Sequence, residues 1–213
     1  MSKENVIGIA RGELGVTEDP PGSNRTKYWE AYDPAFQGQP WCVCFLWWVF
    51  RQAGEAPAFF GGGRTASCTR LLRWYREHGC TAAPAEAEAG DILLLNFRGG
   101  TEPEHCALAV KREGNVVFTI EGNTTPGWSG SQDNGGCVAE KARSLTRIVA
   151  VCRPPYAPET VEDAAGHWAE SAIRRAVARG LMRGYPDGSF RPDRPVTRGE
   201  LAAVLERLEE SRQ

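Results

Sequence analysis

Gln39-Pro40-Trp41-Cys42-Val43-Cys44-Phe45-Leu46-Trp47-Trp48-Val49-Phe50 is the densest aromatic and apolar run in the sequence, and it predicts a buried helix that begins with a cysteine. Proline is best tolerated in the first turn of a helix, where its missing N–H leaves no bond unmade, so the helix is expected to start at about Pro40 or Trp41. Cys42 then falls in the first turn. Unpaired N–H groups and the positive end of the helix dipole favour an anion there, and the thiolate is the nucleophilic form of cysteine. Cys44 lies about 200° further round the helix and points elsewhere. Gly54 is the expected stop, with Pro57 just beyond. A thiol on an apolar helix can equally be packing. A base and its orienter elsewhere in the chain decide between the two.

Upstream, Ser2 is placed to cap a helix in which Val6, Ile7, Ala10 and Leu14 recur at helical spacing. Residues 17–40 hold so many breakers, among them Asp19-Pro20-Pro21-Gly22 and Asp33-Pro34, that a loop is expected. Downstream, Gly61-Gly62-Gly63 lacks the Gly-Lys-Ser/Thr ending of a phosphate loop and reads as plain loop. Ser67 to His78 reads as a helix with Leu71, Leu72, Trp74 and Tyr75 inward. From Gly90 the period changes: Ile92–Phe97, His105–Arg112, Val116–Glu121 and Ile148–Cys152 read as short strands, with a possible fifth near Val138–Ala142. Helices followed by an antiparallel sheet make an α+β domain.

The charge excludes some partners. The chain has 213 residues and a net charge of −2, and residues 1–153 carry 16 basic against 17 acidic side chains. Neither part is a nucleic-acid binder or an anionic-membrane binder by charge. The longest apolar run, Cys42 to Phe50, falls short of the ~20 residues that span a bilayer. Met1 to Gly15 has no basic start followed by an apolar core, so no signal peptide is read and synthesis in the cytosol is expected. Seven cysteines without regular spacing point to reduced thiols. Cys42-x-Cys44 and His105-Cys106 lack the two-residue spacers of zinc sites, so no metal is expected.

The base is found on the predicted hairpin. Side chains alternate faces along strands, so His105 and Glu121 share a face only if the intervening loop has an odd number of residues. A three-residue loop Glu113-Gly114-Asn115 sets Asn123 opposite His105 and Glu121 one pair further in. A histidine beside a carboxylate and an amide is what a thiol nucleophile requires, for the imidazole takes the proton and its neighbour fixes the tautomer. The competing view, a strand-end histidine satisfied by its surroundings, has to treat Cys42 and Glu121-Gly122-Asn123 as coincidence.

Pro40-Trp41-Cys42-x-x-Phe45, Gly90-Asp91-Ile92, His105 and Ile120-Glu121-Gly122-Asn123-Thr124 together resemble the CHAP family, the cysteine, histidine-dependent amidohydrolases and peptidases. The resemblance covers roughly residues 3–153. It implies a papain-like fold, with N-terminal helices packed on an antiparallel sheet, and cleavage of peptidoglycan either at the muramyl amide or within the peptides. It implies Cys42 as nucleophile, His105 as base, Glu121 as its orienter and Asn123 assisting, with the Cys42 N–H as one oxyanion donor. Gln37, Gln39 and Tyr28 are the candidates for a second donor. Some members bind calcium before the cysteine, but Asn24-Arg25-Thr26-Lys27-Tyr28-Trp29-Glu30 lacks alternating aspartates, so no cofactor is expected.

A proline-rich linker at 154–161 separates this domain, 1–153, from a small all-α unit at 162–213. In that unit His167–Arg179 reads as a helix with Trp168, Ala172, Ile173, Ala176 and Val177 on one face, and Thr197-Arg198-Gly199-Glu200 as a capping box opening a helix with Leu201, Val204, Leu205 and Leu208 inward. Gly166-His167-Trp168-Ala169, Gly184-Tyr185-Pro186-Asp187-Gly188-Ser189-Phe190-Arg191-Pro192 and Val196-Thr197-Arg198-Gly199-Glu200 closely resemble an S-layer homology motif. That family holds proteins to secondary wall polysaccharides, and Trp168, Asp187, Gly188 and Arg198 match its ligand-facing positions. Trp168 and Phe190 can also be core, and Arg198 a local helix-start partner. The family presents three motifs around a pseudo-threefold axis and this chain has one, so a homotrimer is expected. The two resemblances together imply an endolysin-type wall hydrolase. The alternatives are a wall-remodelling autolysin and a wall-binding protein without activity.

Overall fold

The computed structural model describes residues 3–127, 129–156, 161–178, 181–185 and 188–210, so the expected Ser2 cap lies outside the described residues. The chain forms two compact units, Lys3–Pro154 and Pro155 onward. The first is α+β. Helices α1 (Lys3–Gly12), α2 (Lys27–Tyr32), α3 (Cys42–Gln52) and α4 (Cys68–Glu77) precede most of an antiparallel sheet. Its strands are β1 (Thr81–Ala82), β2 (Ile92–Leu95), β3 (His105–Glu113), β4 (Val116–Thr124), β5 (Cys137–Ser144) and β6 (Ile148–Cys152), in the order β1-β6-β2-β3-β4-β5.

Helix α3 starts at Cys42 after a Trp41 cap that offers no side-chain bond, so the cysteine is its first residue. Its entry is fixed by two indoles: Trp29 Nε1 donates to the Gln39 carbonyl at 2.8 Å, and Trp41 Nε1 donates to buried Glu18 at 2.9 Å. Gly54 takes φ +72 just past the helix, as a stop requires. The stretch expected to be loop contains α2. Thr26 accepts from Trp29 N, and Tyr28, Trp29 and Tyr32 are buried against the aromatic run. Tertiary packing of three aromatics offsets the breakers on either side.

The hairpin reaches the expected parity by another device. Its loop has two residues, because Glu113 pairs with Val116, and that alone would turn Glu121 to the wrong face. A β-bulge between Ala109 and Lys111 inserts the missing residue, after which Leu108 pairs with Ile120. Continued along the strands, this register places His105 across from Asn123 and Ala107 across from Glu121. The Gly90-Asp91-Ile92 motif is structural: Asp91 accepts two bonds from Arg153, at 3.1 and 2.9 Å, and ties β2 to the end of β6.

Gly122 faces α3. A Cβ there would lie 2.6 Å from Phe45 Cβ and 2.8 Å from Trp41 Cζ3. Gly122→Ala is therefore expected to destabilise the domain by about 1–3 kcal/mol through overpacking, read as a lower urea midpoint. An unchanged midpoint would show that α3 and β4 do not meet this closely.

In the second unit, Val161, Ala164, Ile173, Val177 and Phe190 form a small core with Ala169 and Met182 packed against it. Phe190 is core, as one of the two expectations had it. Helix α5 spans Glu170–Ala178, shorter at its start than expected, so Trp168 precedes it and is 91% exposed rather than on its apolar face. Helix α6 spans Arg198–Glu210, opened by the expected capping box: Glu200 N donates to Thr197 Oγ1 and Thr197 N to Glu200 Oε2. Of its expected inward face, Leu201 and Leu205 are about half exposed along with Val196, while Val204 and Leu208 are partly buried. Too little chain stands opposite that face to cover it.

Candidate functional site

Cys42 and His105 come together although 63 positions separate them. Helix α3 delivers the thiol at its first residue and β3 delivers the imidazole at its first residue. The two side chains lie close enough for each to shift the other's titration. His105 Nε2 sits 3.1 Å from Glu121 Oε2. Nδ1, buried and otherwise without a partner, is the nitrogen left for the thiol.

Glu121 is held from the far side by a residue the sequence did not reveal. Arg143, on β5, donates Nε to Oε1 at 2.8 Å and Nη2 to Oε2 at 2.6 Å, a two-pronged pair, and Thr119 Oγ1 adds a bond to Oε1 at 2.6 Å. Gln132 accepts from Arg143 Nη1 at 3.1 Å, and the Arg143 guanidinium lies 4.7 Å over the Phe97 ring. Arg143 was readable only indirectly, since a fully buried carboxylate calls for a cation. Glu140-Lys141-Ala142-Arg143 otherwise looks like a solvated strand.

These contacts set the charges. Burial alone would raise the Glu121 carboxyl, but the bonds from Arg143 and His105 outweigh it and hold it at about 2. Burial alone would lower His105, yet its bonds to Cys42 and Glu121 push it up to about 9. Cys42 is driven well below the ordinary thiol range by bonds from Cys106, Cys68 and His105, against the cost of burial. Near neutral pH the run is thiolate, imidazolium, carboxylate, guanidinium, with alternating signs and no net charge. His105 and Glu121 are fully buried, while Cys42 retains 5% exposure, so within this pair-and-orienter set Cys42 is the residue nearest to solvent.

Asn123 does not join them. Its backbone turns left-handed (φ +59) within the irregular pairing of β4 and β5, and its Nδ2 donates to Asn134 at 3.0 Å instead of meeting His105. Two of the three suggested second oxyanion donors are engaged elsewhere. The Tyr28 hydroxyl donates to Glu13 at 2.7 Å, and Gln37 exchanges two bonds with the Thr26 backbone at 3.0 Å each. Gln39 is exposed, and its bonds are made by its backbone, the N–H donating to the Phe36 carbonyl and the carbonyl accepting from Trp29. Among the described residues Cys42, Cys68 and Cys106 also bring three sulfurs within 4.8 Å of one another, whereas Cys44 stands apart.

In the second unit Trp168 and Arg198 are exposed, Gly188 takes φ +85 in a turn, and Asp187 lies outside the described residues. A cavity of about 320 Å³ opens among Tyr185, Arg191, Arg194, Glu200 and Arg207, and is not lined by Trp168, Gly188 or Arg198. Arg191 and Arg194 both stack on the Tyr185 ring, 4.3 and 5.3 Å from its centre.

Comparison with known proteins separates the two units. Residues 162–202 match the family model described as S-layer homology domain. Outer membrane protein SlpA of Deinococcus radiodurans is 48% identical over 65 residues, 30% of this chain and 6% of that protein. Cell surface glycoprotein 1 of Acetivibrio thermocellus is 54% identical over 39 residues, 18% of this chain and 2% of that one. The Cellulosome-anchoring protein of the same organism is 43% identical over 47 residues, 22% and 10%. The chain thus spans a tenth or less of the length of these relatives. Among solved structures, the crystal structure of Ly7917 aligns with 72% of this chain and 62% of its own at 14% identity and a TM-score of 0.45. The crystal structure of Ly7917 with the hydrolyzing product of MDP does so at 16% identity and 0.43, over 72% and 63%. Likeness that distant leaves the first unit's chemistry to its own residues, and the chain carries an S-layer homology domain at 162–202 behind its α+β unit.

Proposed function

We propose that the first unit is a papain-like CHAP hydrolase that cleaves amide bonds of peptidoglycan, and that the S-layer homology domain holds it on wall polysaccharide. The observation that carries this is the run in which hydrogen bonds join His105 to Glu121 and Glu121 to Arg143, with the buried Cys42 thiol adjoining His105. It supplies a charged nucleophile, a proton carrier and a fixed orienter in one line.

The Cys42 thiolate attacks the amide carbonyl carbon, and the carbonyl π pair moves to oxygen. The Cys42 backbone N–H, at the start of α3, and the Gln39 side chain meet that oxyanion. The His105 imidazolium then gives its proton to the leaving nitrogen as the C–N bond breaks, leaving a thioester. Water attacks the thioester with His105 as base, and the carboxylate product leaves with Cys42 restored. Activity is present while the pair holds one proton, so it falls as pH rises through about 9, where His105 loses it.

Wild-type protein and Gln39→Ala are incubated with Gram-positive-type walls, and soluble fragments are identified by mass spectrometry. New amino termini separate a muramyl amidase from a peptide endopeptidase, and slower release by Gln39→Ala reads the oxyanion role. Walls that bind the protein and release nothing would leave only a wall-binding function. Endolysins and autolysins share this chemistry.

Three copies assembling through the half-exposed Val196, Leu201 and Leu205 would bury the face of α6 that the chain leaves open. Sedimentation equilibrium is expected to give three times the chain's mass of 23.3 kDa. A monomer at working concentration would remove the homotrimer from this account.

A further inference from the structure

A nucleophile needs one thiol, and this site has three. Cys42 opens α3, Cys68 opens α4 and Cys106 follows His105 on β3. Their sulfurs lie within 4.8 Å of one another, and all three residues are buried. Two of them stand at helix N-termini, whose dipoles favour the anionic form. Tetrahedral zinc–sulfur bonds of about 2.3 Å place sulfurs roughly 3.8 Å apart, so at most about 1 Å of side-chain movement closes the set. Thiolates select soft ions and exclude calcium and magnesium.

A second, independent observation points to the same ligand. His105 Nδ1 is fully buried and has no hydrogen-bond partner. Its Nε2 is already held by Glu121, the carboxylate–histidine arrangement that orients imidazole toward a metal. The remaining exposure of Cys42 and Cys68, 5% and 8%, gives an ion its way in, while Cys106 is sealed beneath them.

We propose that Cys42, Cys68 and Cys106 bind one zinc ion, with His105 Nδ1, which lies outside the 4.8 Å set of sulfurs, turning in as the fourth ligand, and that the ion blocks the nucleophile while it stays. Binding releases the protons of the Cys68 and Cys106 thiols and of the imidazolium to solvent, so it tightens as pH rises. The site does not depend on the hydrolase assignment, because it requires only the four side chains.

The test titrates the reduced, metal-free full chain with cobalt(II), then displaces it with zinc in competition with a chelator of known affinity. One cobalt per chain is expected, with a thiolate-to-cobalt charge-transfer band that one zinc removes. Cys68→Ser and Cys106→Ser each lose at least about 10–100-fold in affinity, since a ligand counts for no less than its outer-shell partners. Cys44→Ser, whose sulfur lies outside the cluster, keeps full affinity. Zinc also protects Cys42 of the wild type from iodoacetamide until chelator is added, a readout that stands even if a serine variant does not fold. Absence of the charge-transfer band, equal affinity in the Cys68 and Cys106 variants, or no protection would overturn the site. Metal binding in a protein that releases no wall fragments would remove the hydrolase assignment alone.

Discussion

In a Cys42→Ala variant, release of peptidoglycan fragments is expected to fall by at least ~10⁴-fold, to the floor of the assay, while wall binding is unchanged. The magnitude follows from the role: removing a covalent nucleophile abolishes the route, and the partners that remain have nothing to activate. Retention of binding follows from the division of the chain, because residues 162–202 lie in a unit with its own core. Pelleting with walls measures the second half of the prediction. If release persists in Cys42→Ala at more than a few per cent of wild type, the thiol is not the nucleophile. If binding is lost as well, the anchor lies in the first unit.

Arg143→Leu is the substitution expected to cost most in stability. It leaves Glu121, fully buried, with His105 as its remaining charged partner. Removing one member of a buried pair costs about 3–5 kcal/mol, because the other charge stays desolvated. The urea midpoint is expected to fall accordingly, and activity with it, since His105 loses a fixed orienter. Replacing both, as Glu121→Gln with Arg143→Leu, is expected to recover much of the stability and little of the activity. That split separates positioning from packing. A single Arg143→Leu variant as stable as wild type would mean that water or another cation reaches Glu121.

The class of fold was legible because the period of apolar residues changes once, at Gly90, from helical to alternating. Cys42 was legible because Pro40 and Trp41 restrict where that helix can begin. His105 and Glu121 were placed on one face by an odd loop that does not exist, and a bulge near position 110 supplies the same parity. Bulges leave little trace in one sequence, so the right face was reached by the wrong route. Arg143 and the Cys42–Cys68–Cys106 cluster were missed for one reason: each joins elements far apart in the chain, and spacing rules see only neighbours. Asn123 was set opposite His105 by the same register, and its left-handed backbone and its bond to Asn134 take the side chain elsewhere. In the second unit the capping box at Thr197 was local and held. The inward face of α6 depended on a partner surface, which the chain's own core does not supply.

The most direct test of the site is the pH dependence of Cys42 alkylation by iodoacetamide, followed by tandem mass spectrometry that separates Cys42 from Cys44 on their shared peptide. The protein is reduced, treated with chelator and sampled from about pH 6 to about pH 8. A thiol driven well below its ordinary range by Cys106, Cys68 and His105 reacts at a rate that rises far less than tenfold per pH unit across that range. A rate that climbs about tenfold per pH unit, as an ordinary thiol's does below its pKa, would contradict the ion pair on which the hydrolase account rests.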